Sequence, residues 1–121
     1  MTTSVKLRVA GFGMRSGAGL ESLRAALELA GAEVDLLATI AERAEVLRPL
    51  AESLGLPLQV TAVGGVTTPT QSARVLQRFG TGSVAEAAAL VAAGPRAVLT
   101  VLRVASSDGM ATCAVAEGDR I

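Results

Sequence analysis

Apolar and polar residues alternate at the start of the chain: Val5, Leu7 and Val9 fall on one face and Lys6 and Arg8 on the other, which predicts a strand over Val5 to Phe12. From Ala18 to Leu29 the period lengthens. Leu20, Leu23 and Leu27, with Ala25, Ala26 and Ala30, recur at helical spacing, and Gly31 stands where such a helix would stop. The short apolar run Val34 to Ile40 suits a buried strand. Glu42 to Leu54 then carries a helical face of Val46, Leu47, Leu50 and Leu54, ended by Gly55, and Pro57 opens a third strand through Ala62.

After "VGGVTTP" the pattern changes. Thr70 to Phe79 reads as a helix and "GTGSVAEAAALVAAG" as another, opened by a capping box in which Ser83 accepts from the amide of Glu86 and the Glu86 side chain reaches back. Capping alone accounts for both residues. Ala97 to Val104 and Met110 to Ala116 predict two strands around "SSDG", where Asp108-Gly109 is a hairpin-turn signal, and Glu117 to Ile121 reads as a tail. Strands alternating with helices imply crossovers between parallel strands. The expected fold is therefore a three-layer α/β/α domain spanning residues 1–121, its mixed sheet combining a parallel βαβαβ portion with a C-terminal antiparallel hairpin. Strand-to-helix loops gather at the C-terminal edge of such a sheet, where ligands bind.

The first of those loops contains "GFGMRSG", residues 11–17. Its glycines permit close approach of a ligand to the main chain, and Arg15 adds a charged fork of donors suited to phosphate or carboxylate. A tight turn whose glycines serve only packing is the competing reading. Dinucleotide binding fits poorly, because Ser16 stands where the fingerprint's third glycine belongs and Asp35 lies at the beginning of the second strand rather than its end. A Walker loop is excluded, since no G-K-[ST] occurs.

Composition restricts the partner further. The 121 residues include two Phe and neither Trp nor Tyr, so there are no stacking platforms for bases, and eleven basic residues balance eleven acidic ones. No global field draws nucleic acid or an anionic membrane; anion recognition has to be local. With no histidine and the single cysteine Cys113, zinc sites, His-based triads and an intramolecular disulfide framework are out. Ser16, Ser83 and Cys113 lack an activating base, and Lys6 lies within the first strand; Cys113 reads as a small core residue. Glu21, Glu28, Glu42, Glu45 and Glu52 fall on faces expected to be solvated. No apolar stretch reaches membrane-spanning length, and a cytoplasmic protein without cofactor or metal is expected.

The order of motifs is more specific than any one of them. G-x-G-x-R-x-G at 11–17, then "LPLQV", G-T-x-S-V-A-E-A-A-A-L at 80–90 and a closing "ATCAVA" resemble the CobE/CbiG C-terminal domain family of cobalamin biosynthesis, over about Val5 to Ala116. In that family the larger CbiG-type proteins open a ring-A lactone of a precorrin and release a two-carbon fragment. The free-standing CobE-type proteins, which this chain resembles, imply no settled catalytic step. Two departures stand out: Met14 occupies a position where many relatives resemble G-x-G-C-R, which removes thiol chemistry there, and the Asp that often follows "LATI" is missing.

The resemblance implies a precorrin or corrin tetrapyrrole as ligand, a large amphipathic macrocycle rimmed with acetates and propionates, and precorrin methyltransferases as the partners to which it would be handed. The expected site is Gly11, Gly13, Met14, Arg15, Ser16 and Gly17, with backbone amides of 13–17 at a helix N-terminus and Arg15 as a bidentate partner. Ser83 offers a second point of contact. Arg103 offers a third if its strand end faces the same cleft, and is otherwise a solvated sheet-edge charge. Two functions of different class follow: a module that binds and transfers a corrin intermediate, or a small hydrolase opening a precorrin lactone. The lack of histidine or any activated nucleophile favours the first.

Overall fold

A computed structural model describes residues 6–119; Val5, expected to begin the first strand, and Arg120 and Ile121, expected to end a tail, lie outside them. The elements run β1 (Lys6–Met14), α1 (Leu20–Ala30), β2 (Leu36–Thr39), a 3-10 turn (Ala41–Arg43), α2 (Ala44–Leu54), β3 (Leu58–Val60), α3 (Ala73–Phe79), α4 (Val84–Ala93), β4 (Val98–Ala105) and β5 (Ala111–Asp119). They form a mixed sheet of order β3-β2-β1-β5-β4. The first three strands are parallel, and β5 is antiparallel to both β1 and β4. This is the expected α/β architecture.

Alternation along the strands decides what each face of the sheet meets. Ala10 and Phe12 of β1, with Cys113 and Val115 of β5, join Leu23, Ala26, Leu47 and Leu50 of α1 and α2 in one core. Cys113 is a core residue, and burial pushes its thiol up to about 12. Val9, Ala38 and Ala116 meet α4 on the other face, through Val84, Ala87, Ala88 and Ala93. There the strand residues that oppose the helix include glycines. A Cβ on Gly11 would overlap the carbonyl oxygen of Ala85 and stand 2.5 Å from the Ala89 nitrogen, and one on Gly118 would overlap the carbonyl of Ala93. An alanine helix over glycine strands packs backbone against backbone, which replaces the bulk that leucines supply on the opposite face.

Several boundaries differ from expectation, each for a physical reason. The first strand runs through Met14 instead of ending at Phe12, because Gly13 and Met14 pair with Thr112 and Ala111 across the ladder. Most of the glycine motif is thus strand. Helix α1 starts at Leu20, not Ala18, since Gly19 is still extended at φ −108°. Thr70 to Ser72 are not helical: the Ser72 hydroxyl accepts from Val75 N–H at 3.4 Å and caps α3 from outside. Glu117 to Asp119 belong to β5 rather than a tail, paired with Arg8, Leu7 and Lys6, and Lys6 and Arg96 each bring a nitrogen 3.2 Å from an Asp119 oxygen. Those two cations, Lys6 foremost, hold the Asp119 carboxyl below its ordinary range. The hairpin turn stands as expected, with Gly109 at φ +72° where a side chain would be strained.

Candidate functional site

The C-terminal ends of the parallel strands and the β4–β5 turn surround a cleft of about 590 Å3, within the usual range of small-molecule sites. Arg15 and Ser16 follow β1, Arg43 follows β2, Arg74 and Arg78 project from α3, and Arg103 lies near the end of β4. Five arginines therefore line one cleft, and no Asp or Glu joins them among the described lining residues. Met14, Val75, Phe79, Val84 and Met110 supply apolar surface between them.

The guanidinium groups are differently engaged. Arg43 Nε donates to the Met14 carbonyl at 3.2 Å, tying the turn after β2 to the end of β1. Arg78 pairs with Glu42 at 3.1 Å and lies 5.1 Å from the Phe79 ring centre. Among the described residues, the side chains of Arg15, Arg74 and Arg103 make no hydrogen bond or ion pair. Like charges gathered without counter-charges raise the local positive potential and oppose one another, an arrangement that a bound polyanion relieves.

Six of the eight residues expected from sequence meet here: Gly13, Met14, Arg15, Ser16, Ser83 and Arg103. Gly11 does not, because it lies under α4, and Gly17 stands outside at the exposed far end of the loop. The expected backbone cradle is also altered. Arg15 N–H already donates to the Met110 carbonyl at 2.8 Å, and with α1 beginning at Leu20 the amides of 13–17 precede its first turn. What this loop presents to the cleft as a charged donor is the Arg15 side chain. Arg103 lies on an edge strand yet lines the cleft, and its backbone N–H donates to Glu86 Oε2 at 3.0 Å.

The capping box is half formed. Ser83 accepts from Glu86 N–H at 3.2 Å as expected, but the Glu86 carboxylate turns away from Ser83 and accepts instead from Thr70 N–H at 3.0 Å, Thr70 O–H at 2.8 Å and Arg103 N–H. Arg43, Arg74 and Arg78 were not identified from sequence. The i, i+4 spacing of Arg74 and Arg78 puts both on one side of α3, and Arg43 closes the short turn after β2; these are the signals that point to them.

The fold thus defines an α/β domain with a cationic cleft at the C-terminal edge of its parallel strands. The chain belongs to the family described as cobalamin synthesis G C-terminus, which matches residues 8–116. It is similar to CobE, described as a protein from the cobalamin (vitamin B12) biosynthetic pathway, with TM-score 0.80 and 35% identity over 100% of this chain and 98% of that one. It is also similar to cobalamin biosynthesis protein chiG from Agrobacterium tumefaciens str. C58, with TM-score 0.60 and 32% identity over 91% of this chain and 97% of that one. No curated protein matches the chain by sequence. No helix among the described residues is long and apolar enough to cross a membrane.

Proposed function

We propose that the chain works in cobalamin biosynthesis by binding a carboxylate-rimmed precorrin or corrin intermediate in this cleft and passing it on, with precorrin methyltransferases as the recipients. The observation that carries this reading is the set of five arginines lining one cleft without a carboxylate among them. The macrocycle rests on the apolar side chains while its acetates and propionates meet guanidinium groups, whose planar forks match carboxylates two bonds at a time. Arg15 and Arg103 hold one edge of the ligand, and Arg74 and Arg78 the other. Ser83 adds a hydroxyl at the floor.

The lactone-opening alternative needs a group to activate water. Glu86 is saturated by donors, Glu42 is paired with Arg78, and neither lines the cleft. Binding is the better supported function. Incubation with precorrin intermediates is expected to yield a stoichiometric coloured complex of unchanged ligand mass; catalytic mass loss would establish the hydrolase instead. Arg15→Ala is expected to weaken binding by about 1.5–3 kcal/mol, the range for a charge-assisted hydrogen bond, while Tm stays unchanged. A variant that binds normally but melts much lower would make Arg15 a brace for the turn.

A further inference from the structure

Glu86 is the only charged side chain fully buried among the described residues. Taking a carboxylate out of water is costly, and here three hydrogen bonds compensate, none of them from its own helix. The two oxygens serve different walls of the cleft. Oε1 takes both donors of Thr70, two residues ahead of the Ser72 cap from which α3 carries Arg74 and Arg78; Oε2 takes the N–H of Arg103. One rigid group on α4 thus spans the two arms that bear the arginines, and α3 itself buries none of its residues.

We propose that Glu86 is a positioning residue that sets the spacing between the α3 arginines and Arg103, and so determines which polycarboxylates can bridge them. The inference rests on the reading of the cleft as a carboxylate site. A carboxylate suits this role because both oxygens accept, whereas an amide of the same shape accepts through one and turns an NH2 toward a donor. Glu86→Gln should keep its carbonyl on Thr70, where two bonds are made, and lose the link to Arg103.

The test compares affinities for two probes, uroporphyrin, with carboxylates all round its rim, and protoporphyrin, whose two propionates share one edge and reach one arm. Wild type is expected to prefer uroporphyrin. Glu86→Gln should reduce that preference roughly tenfold, as expected for one lost charge-assisted hydrogen bond, and Thr70→Ser, which keeps both donors to Oε1, should leave the preference at its wild-type value. Thr70→Val removes the O–H bond to Oε1 and keeps the N–H bond, so it loosens the α3 side of the link and serves if Glu86→Gln fails to fold. A preference unchanged within about twofold in a folded variant, even one of lowered Tm, overturns the proposal and leaves Glu86 a structural brace. Equal wild-type affinity for the two probes also overturns it while sparing tetrapyrrole binding. Wild type that binds neither probe removes the functional reading itself.

Discussion

Helices α4 and α3 flank the same cleft and are built on opposite plans. Seven of the ten residues of α4 are buried, whereas none of the seven of α3 is, so one wall is part of the core and the other is attached to it. Small side chains over Gly11 and Gly118 bring α4 against the sheet. Polar links hold α3: the Gly65 N–H to Gly80 carbonyl bond at 2.9 Å closes the base of its loop, Ser72 N–H reaches the Gly82 carbonyl at 2.8 Å, and Thr81 donates to the Val66 carbonyl at 2.6 Å. Only Val75 and Phe79 lean on the core. Two of the cleft arginines therefore stand on an element whose position depends on hydrogen bonds rather than on buried apolar area. Such elements open locally at lower free energy than the core does.

The largest expected effect breaks the fixed wall. Gly11→Ala should destabilise the fold by about 3 kcal/mol or more, since the new methyl group meets main-chain atoms of α4 that cannot rotate away. Denaturant unfolding measures it. A loss below about 0.5 kcal/mol, the level of an ordinary surface change, would mean that α4 yields easily and that the two walls are held alike.

Much of the fold was legible in the chain, and less of the site. Period-2 alternation over Leu7 to Val9 and the helical recurrence of Leu20, Leu23 and Leu27 each reflect one local geometry, so the elements could be placed from neighbours alone. The extension of β5 through Asp119 could not, because it is fixed by Lys6 and Arg8, more than a hundred residues away in sequence. Gly11 was open to two readings because a seven-residue motif does not reveal what lies above it; the Ala-rich helix at 84–93 is the missing half. Glu86 fits a capping box, yet donors from Thr70 and Arg103 compete for its carboxylate and win. Arg43, Arg74 and Arg78 look like solvated charges until the topology brings three segments to one edge.

A smaller effect sharpens the account of the attached wall. Glu42 and Arg78 are both substantially exposed, with side chains 49% and 61% accessible, so the pair contributes little to stability. Glu42→Gln should alter global stability by less than about 0.5 kcal/mol while amide exchange in α3 quickens and that in α4 stays unchanged. Freed of its partner, Arg78 should bind a polycarboxylate at least as tightly as in wild type. A global loss well above that bound, or α4 amides that quicken equally, would place the pair in the core's cooperative unit.

The smallest effect concerns the third side of the cleft, the β4–β5 turn, and appears only in acid. Asp108 accepts from Ser106 at 2.6 Å, from Ser22 of α1 at 2.5 Å and from Met110 N–H at 3.0 Å, and these bonds, that from Ser106 foremost, lower its pKa to about 2. Because the folded-state value lies below the value of about 3.9 for an unfolded Asp, the unfolded chain binds the proton more readily. The contribution of Asp108 is therefore complete above pH about 4 and is lost as pH falls toward about 2. Asp108→Asn removes the titration, so the stability difference between wild type and variant should shrink across that interval and stay constant from pH 5 to 8. Ser22→Ala should reproduce part of the change, since that bond joins the turn to α1. A difference that stays constant down to pH 2 would mean that Asp108 holds the turn no better charged than neutral.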